Sequence, residues 1–307
     1  MQLGFVSAVL PDSSFREVMT TAAKIGYDVV EIMCWPAGKA ERRYAGVTHI
    51  DVDALDDEAV GEIRSILAET GVGVSGLGYY PNPLSPNPEE AEVAVAHLRK
   101  VMAAAARLGV RQVNTFVGRD FRKSIDDNWP RMLEVWRPLA RTAEELGIRI
   151  GVENCPMLFS KDEWPGGKNL FICPAVWRRF FEDVPSPNLG MNYDPSHLIW
   201  QFIDPVPPIY EFRDRIFHVH AKDARVDRGR LQDLGVLNLD WHTPKLPGMG
   251  DCNWGAFFGA LTDVKYDGAV CVEVEDRAFE GSLADRKRSL VQSRRFLSSF
   301  VVKPAAD

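Results

Sequence analysis

The sequence predicts a single (β/α)8 barrel, and three observations lead there. Short β-branched runs alternate with longer amphipathic stretches along the chain, eight such pairs can be counted, and no shift in composition or Gly/Ser-rich linker divides them. A length of 307 residues suits one α/β barrel or two smaller domains. No GxGxxG follows the first run, which weakens the doubly wound dinucleotide-binding alternative.

The strand-like runs are Leu3 to Ser7, Asp28 to Met33, Gly73 to Leu77, Gln112 to Val117, Ile148 to Glu153, Asn188 to Asp194, Ile216 to Ala221 and Ala269 to Glu275. Helical patterns follow near 14–25, 56–70, 88–108, 128–146, 174–183, 206–213, 254–263 and 284–300. Gly26, Gly71, Gly109 and Gly147 each close a helical pattern, where a left-handed residue ends a helix at little cost. In the sixth unit Pro205, Pro207 and Pro208 leave open whether one helix or two follow the strand. The barrel is expected to occupy residues 1–301, and 302–307 to form a flexible tail.

Composition narrows the class. Hydrophobic residues make up 46% and charged ones 26%, enough apolar surface for a core. A net charge of −7 gives no overall attraction to phosphate backbones, so no nucleic-acid partner is expected. The five cysteines (Cys34, Cys155, Cys173, Cys252 and Cys271) are dispersed, without paired metal spacing, and read as reduced thiols in a cytoplasm. Pro11-Asp12 interrupts the first apolar run, and no later run reaches spanning length, so no membrane partner is expected either.

Active sites in this architecture lie at the carboxyl ends of the strands, so the residues that end each run matter most. In the fifth, period-two alternation turns Ile148, Ile150 and Val152 outward and Gly151 and Glu153 toward the axis; Glu153 then needs a cation, either a metal or an arginine. The sixth ends in Asp194-Pro195-Ser196-His197, where Asp194 could ligate a metal or cap the next helix. The seventh carries His218 and His220 at one parity; His220, nearer the mouth, is the better ligand, and His218 reads as an oriented core histidine. In the eighth, Glu273 sits at strand-end depth within valines, with Glu275 passing into the loop. Glu153, Asp194, His220 and Glu273 thus end four consecutive strands, a mostly oxygen donor set suited to Mn²⁺ or Mg²⁺, with Co²⁺ or Zn²⁺ admissible.

The strings VEN at 152–154, NYDPSH at 192–197, HVHAKD at 218–223, PGMGDCNW at 247–254 and CVEVED at 271–276 resemble the sugar isomerase/epimerase superfamily with the xylose isomerase-like barrel, in its ketose 3-epimerase and inosose-isomerase branch. The resemblance implies that Glu153, Asp194, His220 and Glu273 hold the metal, that His197 touches substrate, and that Glu153 and Glu273 also form the acid/base pair. An arginine often lies six residues after the ligand histidine in that branch; here position 226 is Val and Arg225 lies five on, and it is carried as a substrate candidate beside Lys222. The superfamily's apurinic endonucleases place histidines after the third and fourth strands, which Gly76 to Tyr80 and Asn114 to Val117 lack. Asp240-Trp241-His242 resembles their later Asp-x-His pair, so His242 is a candidate loop or substrate contact and leaves a second cation open.

Trp35 follows the second run and could stack on a sugar, and Lys39, Arg42 and Arg43 behind it could meet phosphate or carboxylate or form a solvated loop. Tyr79, Tyr80, Arg119 and Trp164 also follow strands. The expected function is therefore a cytoplasmic, Mn²⁺-dependent isomerase or epimerase of a keto-sugar, keto-inositol or related polyhydroxy carbonyl compound, working by proton transfer through a metal-bound cis-enediolate. The alternatives are a lyase or deglycosidase acting on 3-keto-glycosides with the same metal site, an apurinic endonuclease and a noncatalytic sugar-binding barrel. The expected partner is a small carbohydrate, and homo-oligomerisation stays open.

Overall fold

The computed structural model describes residues 1–37, 45–158 and 167–301. The basic loop of Lys39, Arg42 and Arg43, the residue Trp164 and the 302–307 tail lie outside the described residues.

Eight parallel strands close a barrel: β1 (Gln2–Val6), β2 (Val29–Met33), β3 (Gly73–Gly78), β4 (Gln112–Thr115), β5 (Arg149–Glu153), β6 (Leu189–Tyr193), β7 (Ile216–Ala221) and β10 (Ala269–Val272). Each pairs with its sequence neighbour in the barrel, and β10 closes the ring on β1 through Leu3↔Val270 and Phe5↔Val272. Helices α1 (Phe15–Ile25), α2 (Asp57–Thr70), α3 (Pro88–Leu108), α4 (Ile125–Leu146), α5 (Pro174–Asp183), α9 (Trp254–Asp263) and α10 (Leu283–Leu297) cover its outside. Their starts are written locally: Ser14 and Glu17 form a reciprocal capping box, and Asp56, Asn87, Ser124, Asn253 and Ser282 each accept a hydrogen bond from the first turn that follows. The four glycines expected to end helices do so with positive φ, from 65° at Gly147 to 91° at Gly26.

Three local features depart from the periodicity reading. The fourth helix begins at Ile125 rather than 128, because Ser124 caps it through the Asp127 N–H. The sixth unit holds two short helices, α6 (Ser196–Ile199) and α7 (Pro207–Glu211), since Pro205 between them cannot continue a helix and Pro207 and Pro208 suit the first turn of a new one. After β7 an antiparallel hairpin, β8 (Asp223–Val226) and β9 (His242–Lys245), encloses α8 (Arg228–Leu234) and stands at the barrel mouth.

Strand residues facing the helices, such as Val30, Ile32, Ile150, Val152 and Val270, are wholly buried in the main apolar core. The barrel interior is different. Below the mouth it carries a polar layer of Gln112, Asn114, Asn192 and His218, and Gly151 makes room for it: a Cβ there would lie 2.5 Å from Gln112 Nε2 and 2.6 Å from Asn114 Oδ1. This layer is the floor of the site.

Candidate active site

The carboxyl ends of β5, β6, β7 and β10 are neighbours around one arc. Glu153 is the last residue of β5, Asp194 and Glu273 lie one residue beyond β6 and β10, and His220 lies one residue before the end of β7. One donor atom from each falls within 4.8 Å of the others. Strand alternation and closure of the ring produce this convergence, because residues at one height on adjacent strands share the axis-facing side.

His220 Nδ1 faces this cluster, 3.7 Å from Glu153 Oε1 and 3.6 Å from Glu273 Oε2. Its other nitrogen, Nε2, lies 2.7 Å from Glu31 Oε2. Glu31, on β2, is completely buried and also accepts the Tyr80 hydroxyl. Burial works against the Glu31 charge, but His220 and His218 beside it keep its carboxyl below the usual range. A carboxylate on one imidazole nitrogen fixes the tautomer and aims the other nitrogen, the arrangement typical of metal-binding histidines. Asn192 continues the network, with Nδ2 donating to Tyr80 Oη at 3.0 Å and Oδ1 lying 2.9 Å from His218 Nδ1. His218 Nε2 reaches Ser75 Oγ at 3.1 Å, and burial pushes this ring down to about 4, so it is neutral near pH 7.

The two carboxylate oxygens of Asp194 have different surroundings. Its Oδ1 accepts the Ser196 N–H at 2.8 Å, and Oδ2, buried and making no hydrogen bond, faces the cluster. Lys222, 3% exposed, places Nζ 3.2 Å from Asp194 Oδ2, 2.5 Å from Glu273 Oε2 and 2.9 Å from Glu275 Oε2. Burial opposes the ammonium, but Asp194, Glu273 and Glu275 around it raise its pKa well above the usual lysine value. His197 Nε2 lies 3.4 Å from Glu153 Oε1 and 3.5 Å from Asp194 Oδ2.

A divalent metal fits the four converging donors. His220 Nδ1 and Asp194 Oδ2 are buried polar atoms without hydrogen-bond partners, and both belong to the cluster. His220 is pushed down by burial and up by Glu31, Glu273 and Glu153, with a net rise well above its usual value. The surroundings therefore favour positive charge at Nδ1, whether a proton or a cation. Two further donor groups occur among the described residues, Glu31 with His218 and His220, and Glu153 with Cys155 and His197. His242 belongs to none of the three groups.

The cluster opens into a cavity of about 330 Å³, whose lining includes Trp35, Tyr80, His197, Lys222, His242 and Arg277. Trp35, His197, Lys222 and His242, the expected substrate contacts, all line this cavity. His242 stacks on Trp200 with ring centres 4.7 Å apart and planes 1° apart. Arg225 does not stand there: on β8 Ala224 lines the cavity and Arg225 is exposed, and among the described residues the arginine lining this cavity is Arg277. Tyr79 is buried with its ring edge-on to Trp35 and His97, a packing contact.

Sequence reasoning passed over Glu31, Asn192 and Arg277. Glu31 carried the available signal, a lone acid in the otherwise apolar run Val29-Val30-Glu31-Ile32-Met33. Its partner His220 is 189 residues away, which no local spacing reveals.

Residues 19–300 match the family model of the xylose isomerase-like TIM barrel. The chain is 26% identical over 314 residues to the uncharacterized protein YfiH of Bacillus subtilis, covering 90% of this chain and 93% of that one. It is 31% identical over 171 residues to an inosose dehydratase of Clostridium tetani, covering 52% and 55% of the two chains. The D-psicose 3-epimerase of Clostridium cellulolyticum, solved with D-tagatose, superposes with a TM-score of 0.70 at 17% identity, over 99% of this chain and 100% of that one. A match across nearly the whole barrel, closed in the strand order the family requires, makes this chain a member of the xylose isomerase-like TIM barrel family.

Proposed function

We propose that the protein is a divalent-metal-dependent isomerase or epimerase of a keto-sugar, keto-inositol or similar polyhydroxy carbonyl compound. The observation that carries this reading is the convergence of Glu153, Asp194, His220 and Glu273, with His220 Nδ1 and Asp194 Oδ2 buried and making no hydrogen bond, Asp194 Oδ2 being met only by the Lys222 and His197 ion pairs. These four would hold the ion, Mn²⁺ being the first choice for a donor set of three carboxylates and one imidazole. When bound, such an ion stabilises the negative charge that develops on a carbonyl oxygen as the neighbouring carbon loses its proton.

The remaining work falls to side chains. Glu153 and Glu273 flank the arc, with Asp194 and His220 between them, so a substrate over the cluster meets a carboxylate from either side. One takes the proton from carbon and the other returns it, to the opposite face for an epimer or to the adjacent carbon for an isomer. Lys222, beside Asp194 and Glu273, supplies positive charge to a substrate oxygen at the same place. Trp35 offers a ring face to the apolar side of a sugar, and His197 and Arg277 offer donors to its hydroxyls.

A second reading keeps every one of these residues and expels a leaving group after proton removal, as a lyase. The inosose dehydratase relative favours it. Protein stripped with chelator and reloaded with Mn²⁺, presented with a panel of ketoses, inososes and 3-keto-glycosides, tests both. Product from metal-loaded protein alone is expected; a released substituent or water selects the lyase, and turnover undiminished after stripping would refute the metal-dependent reading.

A further inference from the structure

Beside the polar cavity lies a second one of about 410 Å³, and Leu158 and Trp200 line both. Their walls differ in kind. Glu153, His197, Lys222, Asp240, Glu273 and Glu275 face the first. Ile125, Pro156, Ile172, Phe202, Val236 and Trp241 face the second, whose polar members among the described residues are Arg119 and Gln201. Both of those are engaged: Arg119 Nη2 donates to the Lys123 carbonyl at 3.0 Å, and Gln201 Nε2 donates to the His197 carbonyl at 2.6 Å. The second cavity is an apolar annex to a charged site.

Two details of its wall call for an occupant. Phe202 takes the left-handed position, φ 58°, that closes the end of α6, its N–H and that of Ile203 donating to the Ile199 and Leu198 carbonyls; the residue is 55% exposed and its ring stacks on Trp241 at 5.6 Å and 15°. The helix end accounts for the backbone state, but core packing does not account for a phenyl ring at that exposed position. Trp241 is 1% exposed and its Nε1 is buried without an acceptor, so this wall holds an unspent donor. Small-molecule sites combine such apolar walls with a few directed polar groups. The hydroxyls and carbonyl of a sugar suit the first cavity and have nothing to gain in the second.

We propose that the annex is a subsite for an apolar, ring-sized substituent carried by the sugar, so that the ligand spans both cavities as a glycoside or similarly substituted polyol. The inference rests on the polyhydroxy-ligand reading of the polar cavity. Trp200 forms the passage, one end of the molecule lying over the carboxylate cluster and the other between Phe202, Trp241 and Val236. The Trp241 N–H then serves an acceptor on the substituent or its linking oxygen.

Isothermal titration of the Mn²⁺-loaded protein with methyl and phenyl β-D-glucopyranoside tests this, since these probes share the sugar, lack a carbonyl and are not turned over. The phenyl glycoside is expected to bind at least tenfold tighter. Val236→Trp, at a half-exposed position outside the barrel, fills the annex and should bring the two affinities within twofold. Phe202→Ala, which removes the stacked wall, should cut the preference at least threefold and serves if the tryptophan variant does not fold. Equal affinities in the wild type, or a preference that survives both variants, would overturn the annex while leaving the polar-site reading intact. Failure of both glycosides to bind would instead count against the polyhydroxy ligand itself.

Discussion

Replacing Glu31 with alanine removes the group that holds the far side of the candidate metal-binding imidazole. The carboxylate is wholly buried, lies 2.7 Å from His220 Nε2 and accepts the Tyr80 hydroxyl, so no water is placed to substitute for it. Loss of such an outer partner weakens metal binding by about 10–100-fold, or about 1.4–2.7 kcal/mol. A charge-assisted contact with no solvent access points to the upper end of that range. Glu31→Gln keeps an acceptor for the imidazole N–H and gives up the charge, so about tenfold is expected from it. Stability should fall as well, by about 3–5 kcal/mol in the alanine variant, because His220 loses its buried counter-charge. Mn²⁺ affinity by chelator competition reads the first effect and urea unfolding of the metal-free proteins the second. The decisive control is the double variant with His220→Ala. If Glu31 acts through His220, the Glu31 change costs nothing further in metal affinity once the ring is gone. A folded Glu31→Ala protein that binds Mn²⁺ as the wild type does would refute the argument.

Asp194→Asn and His220→Ala each remove a primary donor and should leave purified protein with severely reduced metal by elemental analysis; full occupancy in both would defeat the assignment. Turnover in D₂O should leave deuterium on a product carbon, since a proton carried by Glu153 or Glu273 can exchange with water, and product without carbon-bound deuterium by NMR would point to a hydride shift. Gly78→Ala would place a Cβ 2.7 Å from Glu31 Oε1 and 2.9 Å from Met33 Sδ, so it should lower metal affinity in the same direction as Glu31→Gln, again by chelator competition. Asp223→Ala leaves the N–H groups of Gly248 and Cys252 and the Trp254 indole without their shared buried acceptor, and should cost roughly 3 kcal/mol or more in urea unfolding.

The barrel was legible because each unit announces itself locally, through a β-branched run, an amphipathic run and a cap. The four candidate ligands were legible for a related reason: a charge at the end of a valine-rich strand, as at Glu273, has few ways to exist without a partner. What escaped needed contacts across the ring. Glu31 stands out as a lone acid in an apolar run, but its partner is fixed only when closure of the barrel sets it against His220. The β8–β9 hairpin escaped because Asp223 to Val226 and His242 to Lys245 are too short and too polar to show a period, and it is their pairing that turns Arg225 outward. Arg277 sits in the loop after Glu275, where spacing from the ligand histidine gives no guidance.

The position of Lys222 has a consequence for how the site comes to be loaded. An ammonium already lies among Asp194, Glu273 and Glu275, so the metal-free barrel does not hold a bare acidic hole that must fill before the chain can fold. Loading is then an exchange of counter-ions rather than the capture of a cation by vacant charge. Asp194 and Glu273 would have to leave the lysine to hold an ion, and Glu275, outside the donor set, is the group with which the ammonium can remain paired. On this reading the protein should fold and persist without an ion, with occupancy following the surrounding metal concentration.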